Sequence, residues 1–111
     1  MIPASGIRAI LVDLEGTVYE AGRAVEGAAR ALEALDRRGV AYAFVTNTTS
    51  RPRRVIAQEL SRMGISTDPE RIFTAPAAGA AYLLERDWRR AHLLVRDAVR
   101  EDFPGIVEDD V

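Results

Sequence analysis

Apolar and polar residues alternate along this chain in blocks rather than position by position. Residues 7–12, IRAILV, form a short apolar run of the kind found in strands buried on both faces. Further on, VEGAARALEALDRRG sets Val25, Ala28, Leu32 and Leu35 at helical spacing. Glu26, Arg30, Glu33 and Arg37 fall on the opposite face, and Gly39 sits where a helix C-cap belongs. VAYAFV (40–45) is a second apolar strand, and it ends in the polar cluster TNTTSRPR. Pro52 suits the first turn of a second helix, with Ser50 or Arg51 as its N-cap; Ile56, Leu60 and Met63 face inward and Gly64 ends it.

The stretch ISTDPERIFTA reads as a loop leading to a short strand around Ile72 and Phe73. PAAGAAYLLERDW is a third helix whose alanines permit close packing, with Tyr82 and Trp88 as packing residues. AHLLV (91–95) is the next strand, opened by His92, the single histidine, read as structural or exposed. The tail RDAVREDFPGIVEDDV is broken by Pro104 and Gly105. Its end, GIVEDDV, is too short an apolar run for a strand and is predicted to be a solvated acidic tail.

Strands alternating with helices at this spacing predict an α/β fold: a Rossmann-like parallel sheet with flanking helices, in one domain over residues 1–111. The first strand is expected at the centre of the sheet. Right-handed crossovers bring the C-terminal ends of the strands to one edge, where open α/β sheets bind ligands. Asp13, Thr46 and Asn47 lie at such ends. One outer strand is left unpaired, an edge that invites a homo-oligomer.

Composition narrows the chemistry. The chain has 48% hydrophobic residues, a formal net charge of -2 and no cysteine. Disulfides, zinc–thiolate sites and thiol nucleophiles are excluded, and no basic excess asks for nucleic acid. No apolar run reaches membrane-spanning length and MIPASGIR has no signal-peptide layout, so the expected location is cytoplasmic. All 15 basic residues are arginine.

The stretch AILVDLEGTVYE carries an apolar strand straight into two acids. Asp13, presented at the rim by a rigid element, can bind a divalent cation, act as a base or attack phosphorus. Glu15 projects toward the same pocket, Gly16 lets the backbone turn sharply, and Thr17 adds a hydroxyl and an N–H. Thr46 and Asn47 supply neutral donors suited to phosphate oxygens, with the N-terminus of the following helix adding its dipole. Arg51, Arg53 and Arg54 are read as an exposed helix face. An anionic ligand balanced by Mg2+ fits between the two strand ends.

DLEGT at 13–17 resembles the DxDGT signature of the haloacid dehalogenase superfamily. AVEGAARALEALDRRGVAYAFVTNTTSR, IFTAPAAGAAYLLE and HLLVRDAVREDFPGI resemble the segments that follow in its class IIA, NagD-like branch. The resemblance implies a magnesium-dependent phosphatase that hydrolyses small phosphorylated substrates through an aspartyl-phosphate. It makes Asp13 the nucleophile and a metal ligand. Residue 15 becomes the acid/base and, through its backbone carbonyl, a second metal ligand. Gly16, Thr17, Thr46 and Asn47 become the phosphate-binding positions. Two departures accompany it. Glu15 stands where the family usually has Asp, and a displacement of around 1 Å can cost on the order of a hundredfold in rate. The family's third-motif lysine and fourth-motif acidic pair have no counterpart, so the chain is expected to be the N-terminal part of a longer core domain and inactive alone. The alternative is a non-catalytic remnant or binding domain. A receiver-like phosphoacceptor would need an Asp after the third strand and a late lysine, and neither is evident.

Overall fold

A computed structural model describes residues 6–110; residues 1–5, most of the MIPASGIR stretch, and Val111 at the tip of the tail lie outside the described residues. In chain order the elements are β1 (Ala9–Asp13), β2 (Tyr19–Glu20), β3 (Arg23–Ala24), α1 (Ala28–Arg37), β4 (Ala41–Val45), α2 (Arg53–Arg62), β5 (Ile72–Phe73), α3 (Ala75–Glu85), β6 (Arg90–Ala91) and β7 (Val107–Glu108). Single 3-10 segments span Pro69–Arg71 and Asp97–Asp102.

The main sheet is parallel, in the order β1-β4-β5. Leu11 lies opposite Ala43, Asp13 opposite Val45, and Val45 opposite Phe73. Side chains alternate across a strand, so this register puts Ile10, Val12, Tyr42, Phe44 and Ile72 on one face. Phe44 and Ile72 are fully buried there, packed with Leu32 of α1 and with Ile56 and Leu60 of α2. The opposite face is open, with Leu11 68% and Phe73 50% exposed. β1 is therefore neither central nor buried on both sides; β4 holds the centre. Two right-handed crossovers stepping in the same direction place α1 and α2 on the same face, which explains the one-sided cover.

Local chemistry shifts several boundaries. Gly27 takes φ 86°, which breaks the helical run, so α1 starts at Ala28 and leaves Val25 and Glu26 outside it. The second helix starts at Arg53 with Pro52 in the N-cap position, and neither Ser50 nor Arg51 caps it. The third ends at Glu85, so Trp88 lies beyond it. Tyr82 and Trp88 do not serve the core: both are exposed and meet edge-on at 6.2 Å, with the Arg86 guanidinium 3.5 Å above the Tyr82 ring.

The C-terminal region departs most from expectation. The strand predicted over 91–95 contracts to β6, which pairs in parallel with β7, so the acidic tail is not simply solvated. Val107 N donates to Arg89 O at 2.7 Å, and Arg90 Nε bonds Asp109 at 2.8 Å. Past β6 the chain leaves the ladder, which lets Leu93 bury against Ala80 and Phe103 in a second core. His92 is exposed, its Nδ1 2.8 Å from the Asp109 carbonyl oxygen. Among the described residues no helix is long and apolar enough to cross a membrane.

Candidate active site

Leu14 organises the acidic loop. It is fully buried, and its carbonyl accepts from Val18 N at 2.8 Å and Thr17 N at 3.1 Å. With Leu14 pinned inside, the carboxylates on either side, Asp13 and Glu15, are turned outward and exposed. Gly16 takes φ 82° and donates its N–H to Tyr19 O at 2.8 Å, which directs the chain into the β2-β3 hairpin. That left-handed conformation disfavours any residue with a Cβ.

The second strand end is fixed by the sheet itself. Thr46 N donates to Phe73 O at 2.9 Å, continuing the ladder one residue past β4. The Thr46 hydroxyl lies 2.9 Å from that of Thr48, whose N–H also donates to Thr46 Oγ1 at 3.3 Å. Because Asp13 is in register with Val45, Asp13 and Thr46 stand at adjacent strand ends. Asp13, Glu15, Thr46 and Asn47 line one open cleft of about 680 Å³. Gly16 and Thr17 do not line it; their amides are spent inside the loop.

The helix dipole at this cleft comes from an unexpected source. Thr74, Ala75 and Ala78 form part of its wall, so the N-terminus of α3 borders the site. Thr74 is buried and its hydroxyl accepts from Ala77 N at 3.1 Å, an N-cap whose sequence signal is a threonine two residues before a proline. The N-terminus of α2, expected to serve the phosphate, is occupied instead. Asp102, only 5% exposed, accepts from Arg53 N at 2.9 Å and Arg53 Nε at 3.4 Å. A buried carboxylate over a helix start satisfies an orphan amide and complements the dipole.

The three arginines beside that start are all engaged rather than a plain exposed face. Arg51 pairs with Glu59 at 3.1 Å, Arg53 with Asp102, and Arg54 with Glu101 at 3.0 Å. Burial pushes the Tyr19 phenol above its ordinary pKa, opposed by the charge of Arg51. As for a metal, Asp13 and Glu15 offer the hard oxygen donors that magnesium takes with water and phosphate completing the shell. Among the described residues no group of three acidic or imidazole side chains gathers closely enough to hold an ion.

Comparison with known proteins identifies the family and the fold. The profile of the family described as haloacid dehalogenase-like hydrolase matches residues 10–105. Human haloacid dehalogenase-like hydrolase domain-containing protein 2 is 38% identical over 110 residues, a match covering 99% of this chain and 42% of that protein. Phospholysine phosphohistidine inorganic pyrophosphate phosphatase of Xenopus laevis is 32% identical over 112 residues, covering 96% of this chain and 41% of that protein. The crystal structure of 4-nitrophenylphosphatase from Thermotoga maritima aligns with a TM-score of 0.84 at 26% identity, covering 93% of this chain and 41% of that one. The chain thus spans about 42% of the length of the curated relatives it matches.

Proposed function

The chain belongs to the haloacid dehalogenase-like hydrolase family, and from that premise we propose that its cleft is the phosphoryl-transfer site of a magnesium-dependent phosphate monoester hydrolase. One observation carries the reading: Asp13 and Thr46, on neighbouring strand ends, share a single cleft with Glu15 and Asn47. An acid that can attack phosphorus is thereby set beside neutral donors for the phosphoryl oxygens.

In the first half-reaction an Asp13 oxygen bonds to phosphorus as the ester P–O bond breaks, and Glu15 gives its proton to the leaving oxygen. In the second, Glu15 takes a proton from water, whose oxygen attacks phosphorus and releases inorganic phosphate and the Asp13 carboxylate. Thr46 and Asn47 hold the phosphoryl oxygens by hydrogen bonds, and Gly16 and Thr17 shape the loop that aims Glu15. Asp13 through its carboxylate and Glu15 through its backbone carbonyl are the residues to hold magnesium, which when bound stabilises charge on the phosphoryl oxygens.

These 111 residues contain no lysine to offset charge at the site, so the informative experiment reads a single turnover. With para-nitrophenyl phosphate and magnesium, the expected result is no sustained turnover, in keeping with a chain inactive as a catalyst alone, but a single burst of nitrophenolate of at most one per protein, absent from Asp13→Asn. Equal traces from the two proteins would pass the site to the alternative reading, a fold that binds anions without turning them over.

A further inference from the structure

A second cleft of about 950 Å³ adjoins the first at Ala75, which lines both. Thr49, from the loop that carries Thr46 and Asn47, reaches its wall. The remaining surface is largely apolar, with Pro76 of α3 and Leu93 and Phe103 of the second core, while Leu94 stands beside them 89% exposed. Every titratable residue on its lining is basic: His92, Arg96 and Arg100. Arg100 is committed to Glu108 and Asp97, each at 2.8 Å. Arg96 is exposed and makes no ion pair among the described residues.

The two clefts are chemically complementary. One carries acids and neutral donors for a phosphoryl group; the next offers an apolar bed ending in an uncommitted cation. We propose that the second cleft receives the leaving group of the phosphate ester, and that the substrate class is a phosphomonoester with an apolar body and a second anionic group held by Arg96. The inference rests on the phosphatase reading of the first cleft. An apolar body gains by leaving water against Pro76, Leu93, Leu94 and Phe103, and the anion selects among such bodies.

The test compares phenyl phosphate, 4-carboxyphenyl phosphate and inorganic phosphate, with binding followed by backbone-amide NMR shifts of the chain in the presence of magnesium. Both esters should move the amides of Thr46 and Asn47 and those of Leu93–Arg96, and the carboxylated ester should bind about threefold more tightly. Arg96→Gln should erase that preference. Leu94→Ser should weaken both esters and leave inorganic phosphate unchanged. Since both side chains are exposed, neither change threatens the fold. Equal affinities for the two esters, or a preference that survives Arg96→Gln, would overturn the inference while leaving the phosphate site intact. If neither ester moves Thr46 and Asn47, the phosphatase reading itself fails and this inference falls with it.

Discussion

Asp13 and Glu15 face one cleft as a pair because Leu14 between them is sunk in the core and its carbonyl ties down the loop. Chemistry at Glu15 should therefore be separable from folding. Glu15→Gln, which keeps the shape and removes the ionisable proton, should lower the rate of the phenol burst from phenyl phosphate, whose poorer leaving group needs that proton, by about 10²–10⁴-fold with unfolding unchanged. Gly16→Ala should do the reverse. It forces a Cβ into φ 82° and should cost about 1 kcal/mol in urea unfolding. The place of these residues at the cleft was legible because Asp13 and Thr46 each directly follow an apolar run that ends at one sheet edge, with Glu15 and Asn47 within two positions of them. Thr17 could not be placed from sequence, because only the fold shows that its amide goes to Leu14 O and not to a ligand.

The 3-10 segment Asp97–Asp102 and α2 are joined by side chains. Asp102 supplies the cap that α2 lacks locally, and Arg54 makes two hydrogen bonds to Glu101, at 3.0 and 3.1 Å. Asp102→Ala should cost about 1 kcal/mol and speed hydrogen exchange at the Arg53 amide, with Asp102→Asn costing less. Caps are normally local, so the sequence points to Ser50 or Arg51, whereas Asp102 lies 49 positions from Arg53. The same region carries a pH response. Hydrogen bonding to Arg54 holds the Glu101 carboxyl below its ordinary value of 4.5, and hydrogen bonding to Arg100 does the same for Glu108. A depressed folded-state pKa stabilises above the unfolded value and is lost as pH falls through the folded one. Thermal melts should therefore show a small loss of stability below pH 4.5, reduced in the Glu101→Gln, Glu108→Gln double variant; an unchanged acid limb would contradict it.

The radius of gyration, 16.0 Å, exceeds the roughly 13 Å of a compact chain this long, and the extents are 51 × 32 × 19 Å. The excess matches an architecture of one helix-covered sheet beside a second small core. The parallel sheet and its crossovers were readable from block periodicity. Which face they cover was not, because an apolar run reports that a strand can be buried and not how many layers bury it. The outcome is an outer strand, β1, whose Leu11 is largely exposed beside an edge that no strand among the described residues pairs. Self-association through that edge is expected to grow with concentration in light scattering, and Leu11→Lys should suppress it; a monomer at every concentration would count against it. The phosphatase chemistry nevertheless turns on Asp13, and its proposed role as phosphoryl acceptor has a direct test. Beryllium fluoride bonds to a carboxylate as a tetrahedral mimic of the phosphoryl group, and fluorine NMR reads the adduct without requiring turnover. With magnesium present, the unaltered chain should give a bound trifluoroberyllate resonance that Asp13→Asn lacks. A resonance of equal intensity in Asp13→Asn, or none in either protein, would contradict it.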